Sequence, residues 1–307
     1  MVFNSLFPVF ALILSGSLLK RFGMTNDVFL QTSDKLIYYI FFPILLFWKI
    51  GTASPDLISN SALYKAATLT ILVVFLLSTA YIVVFKVPDF KVGSFSQSCY
   101  RFNSYIGVAI VLSALGEEGI QHFGILMGII IPIINVLCVS TMIWFSSGEK
   151  TTSGSRVGQV VKGIISNPLI LGCVGGILWS YLVEGFPPYI DGLFQLCSFA
   201  TLPLAMLSIG AALSIGSIKD HFKLSLIASC FKLVLLPVVG YLFLMIFGVT
   251  GVALKVGLIY FALPTSTSLY ILSAQLNSDT ELASAAIALS TLLSFFSLSA
   301  ALLINPL

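Results

Sequence analysis

Ten long apolar runs, separated by short polar punctuation, set the pattern of this chain. They fall at about 2–19, 35–51, 64–85, 97–115, 122–146, 166–183, 192–216, 224–247, 252–275 and 282–304. Each approaches the roughly 20 residues that a helix needs to cross a bilayer, so the pattern predicts ten membrane-spanning helices. Two runs are interrupted by polar residues. The fourth contains Arg101 and Asn103; the ninth contains Pro264 and a cluster of hydroxyls. The longest connection, 147–165, begins Gly-Glu-Lys-Thr-Thr-Ser-Gly-Ser after Ser147 and has the polar, flexible composition of a linker. It divides the chain into a first half, 1–146, and a second, 166–307, of five runs each. Two related halves with an odd number of spans lie inverted in the membrane, an architecture known among transporters.

Composition agrees with this pattern and excludes other classes. Charged residues are 9% of 307, against roughly 25% in soluble domains. Apolar types make up 58%, and the mean hydropathy is +1.06. A soluble enzyme, a disordered chain and a nucleic-acid binder are excluded on these grounds, and a net charge of +3 is too small and scattered for a phosphate-binding surface. Five cysteines show no metal-ligand spacing and read as small apolar residues. Lys20-Arg21 follow the first run rather than precede it, the reverse of a signal peptide, so that run is expected to be a retained span. With Lys20 and Arg21 in the cytoplasm, eleven Lys/Arg fall on the cytoplasmic side. Three (Lys49, Lys65, Lys255) fall opposite. This follows the positive-inside rule and places both termini outside the cell (inner) membrane.

The candidate chemistry lies in the two interrupted runs. Non-helical backbone survives at membrane depth only where it faces protein or a wet cavity. The fourth run holds Asn103, Ser104, Tyr105 and Gly107; the ninth holds Pro264, Thr265, Ser266, Thr267 and Tyr270. Proline lacks an N–H and clashes with the preceding turn, while hydroxyls either satisfy the freed carbonyls or meet a ligand. A merely kinked helix with Ser/Thr bonded to its own backbone is the plain alternative. Two such segments at matching places in two halves point instead to a midplane binding site. The N–H groups of its half-helices would suit an anion such as a carboxylate. Pro43 and Pro203 lie 160 residues apart and Phe102 and Phe261 lie 159 apart, a common offset between the halves. Lys232 is the one clear charge inside an apolar run and either serves the site or snorkels to the cytoplasmic face. Arg101 sits at the cytoplasmic mouth of the fourth run, where it meets substrate or lipid phosphate. Asn135 either lines the site or joins two helices. His122 and His221 are expected at solvated span ends. Zinc-protease and Walker motifs are absent, and no mid-span Asp or Glu offers a proton carrier. No catalytic residue, cofactor or metal is expected.

Several segments resemble the auxin efflux carrier family of membrane transport proteins. They are Asn4-Ser5-Leu6-Phe7-Pro8-Val9, Lys35 through Phe42-Pro43, Arg101-Phe102-Asn103-Ser104-Tyr105-Ile106-Gly107 and Asn167-Pro168-Leu169-Ile170. Leu202-Pro203-Leu204 with Ser208-Ile209-Gly210-Ala211, Lys232-Leu233 with Pro237, and Leu263-Pro264-Thr265 through Tyr270 to Asp279 complete the set. The resemblance spans nearly the whole chain. It implies ten helices in two inverted five-helix repeats with two broken crossover helices, a fold like that of bile-acid sodium symporters. It also implies a scaffold part, a transport part that rocks against it, and a homodimer. The bacterial branch is linked to carboxylates such as malate and malonate. Ala109 stands where family members often have proline, so Asn103 and Gly107 are expected to hold the first break open. The expected function is secondary transport of a small organic anion of the carboxylate class across the lipid bilayer by alternating access. A symporter coupled to H⁺ or Na⁺, a ligand sensor that does not transport, and a channel stay open as alternatives.

Overall fold

A computed structural model describes residues 2–53, 61–145, 166–183, 185–213, 216–275 and 278–304. The expected linker 147–165 lies outside these residues. Among them every regular element is helical. In chain order these are α1 Val2–Arg21, α2 Asp27–Leu36, a π-helical turn Ile37–Phe41, α3 Phe42–Gly51, α4 Ser61–Val84, α5 Asp89–Tyr100 and α6 Ser104–Phe145. After the linker come α7 Pro168–Leu182, α8 Pro188–Ala212, α9 Gly216–Cys230, a second π-helical turn Phe231–Leu235 and α10 Leu236–Ile246. The last are α11 Gly251–Ala262, α12 Ser268–Gln275 and α13 Thr280–Leu303. Six helical stretches among the described residues are long and apolar enough to cross a membrane: Val2–Arg21, Ser61–Val84, Asp89–Cys138, Pro188–Ala212, Ile218–Ile246 and Thr280–Leu303. Asp89–Cys138 takes in parts of two predicted runs, 97–115 and 122–146.

The fourth run shows why its edge is misplaced in the sequence. Helix α5 begins at Asp89, not at residue 97. Its first two turns read Asp-Phe-Lys-Val-Gly-Ser-Phe-Ser and look too polar for lipid. Ser94, Ser96, Gln97 and Ser98 are nevertheless all buried, facing protein. Arg101 therefore lies within the helix break, twelve residues beyond the start of α5, and not at its mouth. Gly107 lies one turn inside α6, in helical backbone, so it does not form the break. The break consists of Arg101, Phe102 and Asn103. The kink in α6 comes later, at Gly116 (φ 66°), a conformation that favours glycine.

The two π-helical turns have one cause. Each ends two residues before a proline, Pro43 or Pro237, and the residue between donates to a carbonyl five back: Phe42 N–H to Ile37 O and Leu236 N–H to Phe231 O. The extra residue removes the clash between the proline ring and the carbonyl four back. Pro203, by contrast, sits inside the uninterrupted α8.

The chain forms two compact units, each drawn from both halves of the sequence. One comprises Met1–Ser61, Tyr105–Ile131 and Ile165–Ala212; the other comprises Ala62–Ser104, Pro132–Ile164 and Leu213–Leu307. In the first, α1 packs on α8 and α3 on α7. Glycine permits the first contact. A methyl group at Gly16 would overlap the Leu207 carbonyl, and one at Gly210 would overlap that of Ile13. Small residues at such contacts let helix backbones approach where lipid supplies no hydrophobic drive. Phe47, Trp179, Phe186 and Phe194 close the α3–α7–α8 region with ring-to-ring contacts of 5.0–5.9 Å. In the second unit α9 packs on α13, α5 on both, and α10 on α11 through Gly240 against the Phe261 ring.

Candidate functional site

The two helix breaks meet inside the second unit. Helix α5 ends at Tyr100 and α6 begins at Ser104; α11 ends at Ala262 and α12 begins at Ser268. The N–H of Asn103 donates to the carbonyl of Pro264 at 2.9 Å. Next to this contact the Phe102 and Tyr260 rings lie edge to face, 4.8 Å apart. Thr265 is fully buried; its N–H donates to Ser290 Oγ at 3.2 Å, so α13 holds the second break. Ser297 Oγ donates to the Ala262 carbonyl at 2.8 Å and satisfies the end of α11. The Asn103 and Thr265 N–H groups and the Pro264 and Ala262 carbonyls thus find protein partners, as a low-dielectric surrounding requires.

Arg101 is the charge at the breaks. Its guanidinium donates to Gln97 Oε1 at 2.8 Å and to Asn135 Oδ1 at 3.2 Å. Asn135 therefore works as an acceptor that orients an arginine. A third, weaker contact runs to Cys138 Sγ at 3.7 Å; the guanidinium has five N–H donors, and these three contacts leave capacity for an anion. Ser104, directly after the first break, opens α6, whose N-terminus carries the positive end of the helix dipole. The second break differs. Ser268 N–H donates to Ser266 Oγ, Leu269 N–H to Ser266 O and Tyr270 N–H to Thr267 O. The donors of α12 are thus turned inward, against the expectation that this half-helix offers free N–H groups. Ser266 Oγ is further engaged with Ser268 Oγ at 2.7 Å. Thr267 is half-buried, and Tyr270 is largely exposed, at 47%.

Lys232 lies in the second π-helical turn, fully buried. Its Nζ has no hydrogen-bond partner among the described residues. This excludes snorkelling, which would bring the ammonium to a surface. The turn packs against α5, α11 and α13, the helices that carry and hold the breaks. A serine cluster adds a second tie between these elements: Ser94 Oγ contacts Ser273 Oγ at 2.8 Å and donates to the Asp279 carbonyl at 2.7 Å.

The remaining predicted residues lie in the first unit. The Tyr105 ring meets Phe42 edge-on at 4.7 Å. The Pro43 backbone packs against Gly172, and Pro203 lines a cavity of about 770 Å³. Three charged residues on this cavity escape the sequence reading. Lys49, counted there only as a charge on the outer side, is buried in the last turn of α3 and meets both carboxylate oxygens of Glu117, at 2.6 and 2.8 Å. Asp191 accepts from the Trp48 indole at 2.6 Å. The signal available was the pair Trp48-Lys49 inside an apolar run. Asp34 also escaped: it accepts from Ser208 Oγ two turns into α2, a helix hidden by Ser33-Asp34-Lys35. The histidines are not solvated. His122 is buried in α6, and His221 stands 3.4 Å from Glu281 and 3.9 Å from Asp279.

Apolar helices broken in mid-course around buried polar groups define a multi-pass integral membrane protein with an internal polar site. The model of the membrane transport protein family matches residues 1–302. An uncharacterized transporter of Methanocaldococcus jannaschii is 24% identical over 296 residues, 92% of this chain and 92% of that protein. A Rhizobium meliloti protein named "Putative malonate transporter" is 24% identical over 301 residues, 94% of this chain and 90% of its own. An uncharacterized transporter of Methanothermobacter thermautotrophicus is 22% identical over 302 residues, with 96% and 95% covered. The chain belongs to the auxin efflux carrier family of membrane transport proteins.

Proposed function

We propose that the protein is a secondary transporter that moves a small organic anion of the carboxylate class by alternating access. The observation that carries this reading is the meeting of the two breaks, Asn103 N–H to Pro264 O, with the Arg101 guanidinium and the α6 N-terminus at the same place in the chain. A carboxylate there accepts charge-assisted hydrogen bonds from Arg101 and is stabilised by the positive end of the α6 dipole. Lys232 supplies a second positive charge within the same unit; its lack of a partner supports a role as counter-ion to the transported anion. Ser104, Asn103, Thr265, Ser266 and Thr267 supply neutral hydrogen-bonding groups along the breaks. Pro43, Pro203, Tyr105 and Gly107 shape the path in the first unit. The name of the Rhizobium relative fits this substrate class.

The membrane arrangement in this reading has ten spans in two inverted repeats of five. They are α1; α2 with α3; α4; α5 with the part of α6 before Gly116; the rest of α6; α7; α8; α9 with α10; α11 with α12; and α13. The broken fourth and ninth spans are the crossover helices. Both termini and the Gly116 turn lie outside, and the linker lies in the cytoplasm.

Uptake of radiolabelled malonate, malate and propionate into proteoliposomes tests the reading. Saturable uptake of at least one, with a much higher half-saturating concentration in Arg101→Gln, is the expected result. Saturable binding without uptake identifies a sensor and overturns it.

A further inference from the structure

The first unit contains a polar cavity that the meeting of the breaks does not use. It opens among α3, α6 and α8 and measures about 770 Å³, within the range of small-molecule sites. Lys49, Glu117 and Asp191 are the only charged groups among its described lining residues. Its walls are otherwise apolar, as at Leu45, Leu112 and Phe199, with neutral donors such as Gln121 and Gln195.

The ion pair in this cavity is uneven. The Lys49 side chain is only 10% exposed, whereas that of Glu117 is 62% exposed. Lys49 is fixed in the last turn of α3, and its Nζ also stands 3.7 Å from the centre of the Trp48 ring. Glu117 instead follows the kink at Gly116 and opens the straight part of α6. A carboxylate in a first helical turn is stabilised by the helix dipole even without a lysine. Glu117 can therefore leave into water at modest cost, and Lys49 cannot. The two-oxygen contact at 2.6 and 2.8 Å is the contact that any free carboxylate would make with this ammonium.

Asp191 sets the charge that the cavity accepts. It is held in place by the Trp48 indole at 2.6 Å and lies in the first turn of α8. It stays on the wall when Glu117 moves. A ligand with one negative charge replaces Glu117 one for one. A dianion would add a second negative charge against Asp191 with no second cation to meet it.

We propose that this cavity is a loading site for carboxylates bearing a single negative charge, and that Glu117 is an internal competitor which the ligand displaces from Lys49. Dicarboxylates are accepted there as their hydrogen monoanions. The proposal rests on the carboxylate reading above and adds to it a second site and a charge rule.

Calorimetric titration of the purified full-length protein with propionate, monomethyl malonate and malonate at pH 7.5 tests it, in parallel with proteoliposome uptake. Glu117→Gln should bind propionate about tenfold more tightly than the wild type, because the competing carboxylate is gone. The Lys49→Gln/Glu117→Gln double variant, which leaves no unpaired charge, should keep the wild-type melting temperature and lose the Glu117→Gln gain in propionate affinity, leaving only the binding at the breaks. Monomethyl malonate should bind more tightly than malonate, and Asp191→Asn should remove that preference. Arg101→Gln should leave the Glu117→Gln gain intact, since the breaks are a separate site. Weaker or unchanged propionate binding in Glu117→Gln overturns the proposal, as does a wild-type preference for the malonate dianion. If carboxylate uptake persists under either of those outcomes, the transport reading stands and only the loading site falls. Absence of both binding and uptake overturns both.

Discussion

Arg101 and Lys232 are the two residues whose surroundings most constrain the chemistry. Arg101 is oriented by Gln97 and Asn135 and lies in the first break. Replacing it with glutamine keeps hydrogen-bonding capacity but removes the charge. A charge-assisted hydrogen bond is worth roughly 1.5–3 kcal/mol, so Arg101→Gln should weaken carboxylate binding by about one to two orders of magnitude, measured as a rise in the half-saturating concentration for uptake. Lys232 allows a sharper separation of function from folding. An unpaired buried charge is costly to the fold, so Lys232→Ala should abolish transport while the melting temperature stays level or rises. Lys232→Arg should not restore activity, because a planar fork does not replace a compact ammonium. Transport that survives in Lys232→Ala would assign the lysine to packing alone. Lys232 and Asn103 are legible from the sequence because they stand out against apolar neighbours. Lys49, Asp34 and Glu117 are not. Each lies near the end of an apolar run, where a charge ordinarily meets water, and only the packing of α3, α6 and α8 shows that Lys49 is enclosed.

Helices carry the same lesson at the next scale. Length and hydropathy locate most of them, because the lipid-facing surface must be apolar whatever the interior does. They fail for α5, whose serines face other helices, and for α2, whose polar start hides a helix that continues through a π-helical turn into α3. The proline at 43 is visible in the sequence; the extra residue that accommodates it is not, since a kink, a break and a π turn all relieve the same clash. Glycines at helix contacts are likewise visible only as composition. Gly210 has its own α hydrogen against the Ile13 carbonyl, whereas Gly192 on the same helix faces open space. Gly210→Val should therefore force α1 and α8 apart, at a cost of about 1–3 kcal/mol or more, seen as a lower melting temperature or failure to accumulate in the membrane. Gly192→Val should behave like the wild type in both measurements. Equal effects at the two positions would contradict the close helix approach.

For the molecule as a whole, the odd number of spans per half makes orientation a strong test. The inverted arrangement requires both termini on one side and the linker on the other, and the lysine and arginine distribution places the termini outside. A reporter fused to the C-terminus should report an extracytoplasmic location, and one inserted at Ser153 a cytoplasmic one. A cytoplasmic C-terminus would remove the even span count and with it the inverted repeat. The division into two compact units could not be read from the sequence, because each gathers segments from both halves and no linker separates them. The two interrupted segments, however, were visible as polar residues at a matching offset, and their backbones meet at Asn103 and Pro264. In the proposed function this meeting point serves the passage of a carboxylate. Concentration-dependent uptake of radiolabelled carboxylates into proteoliposomes, wild type beside Arg101→Gln, should saturate in the wild type and need a far higher concentration in the variant; uptake that rises linearly without saturation, or that is identical in the two proteins, would rule out this role for the breaks.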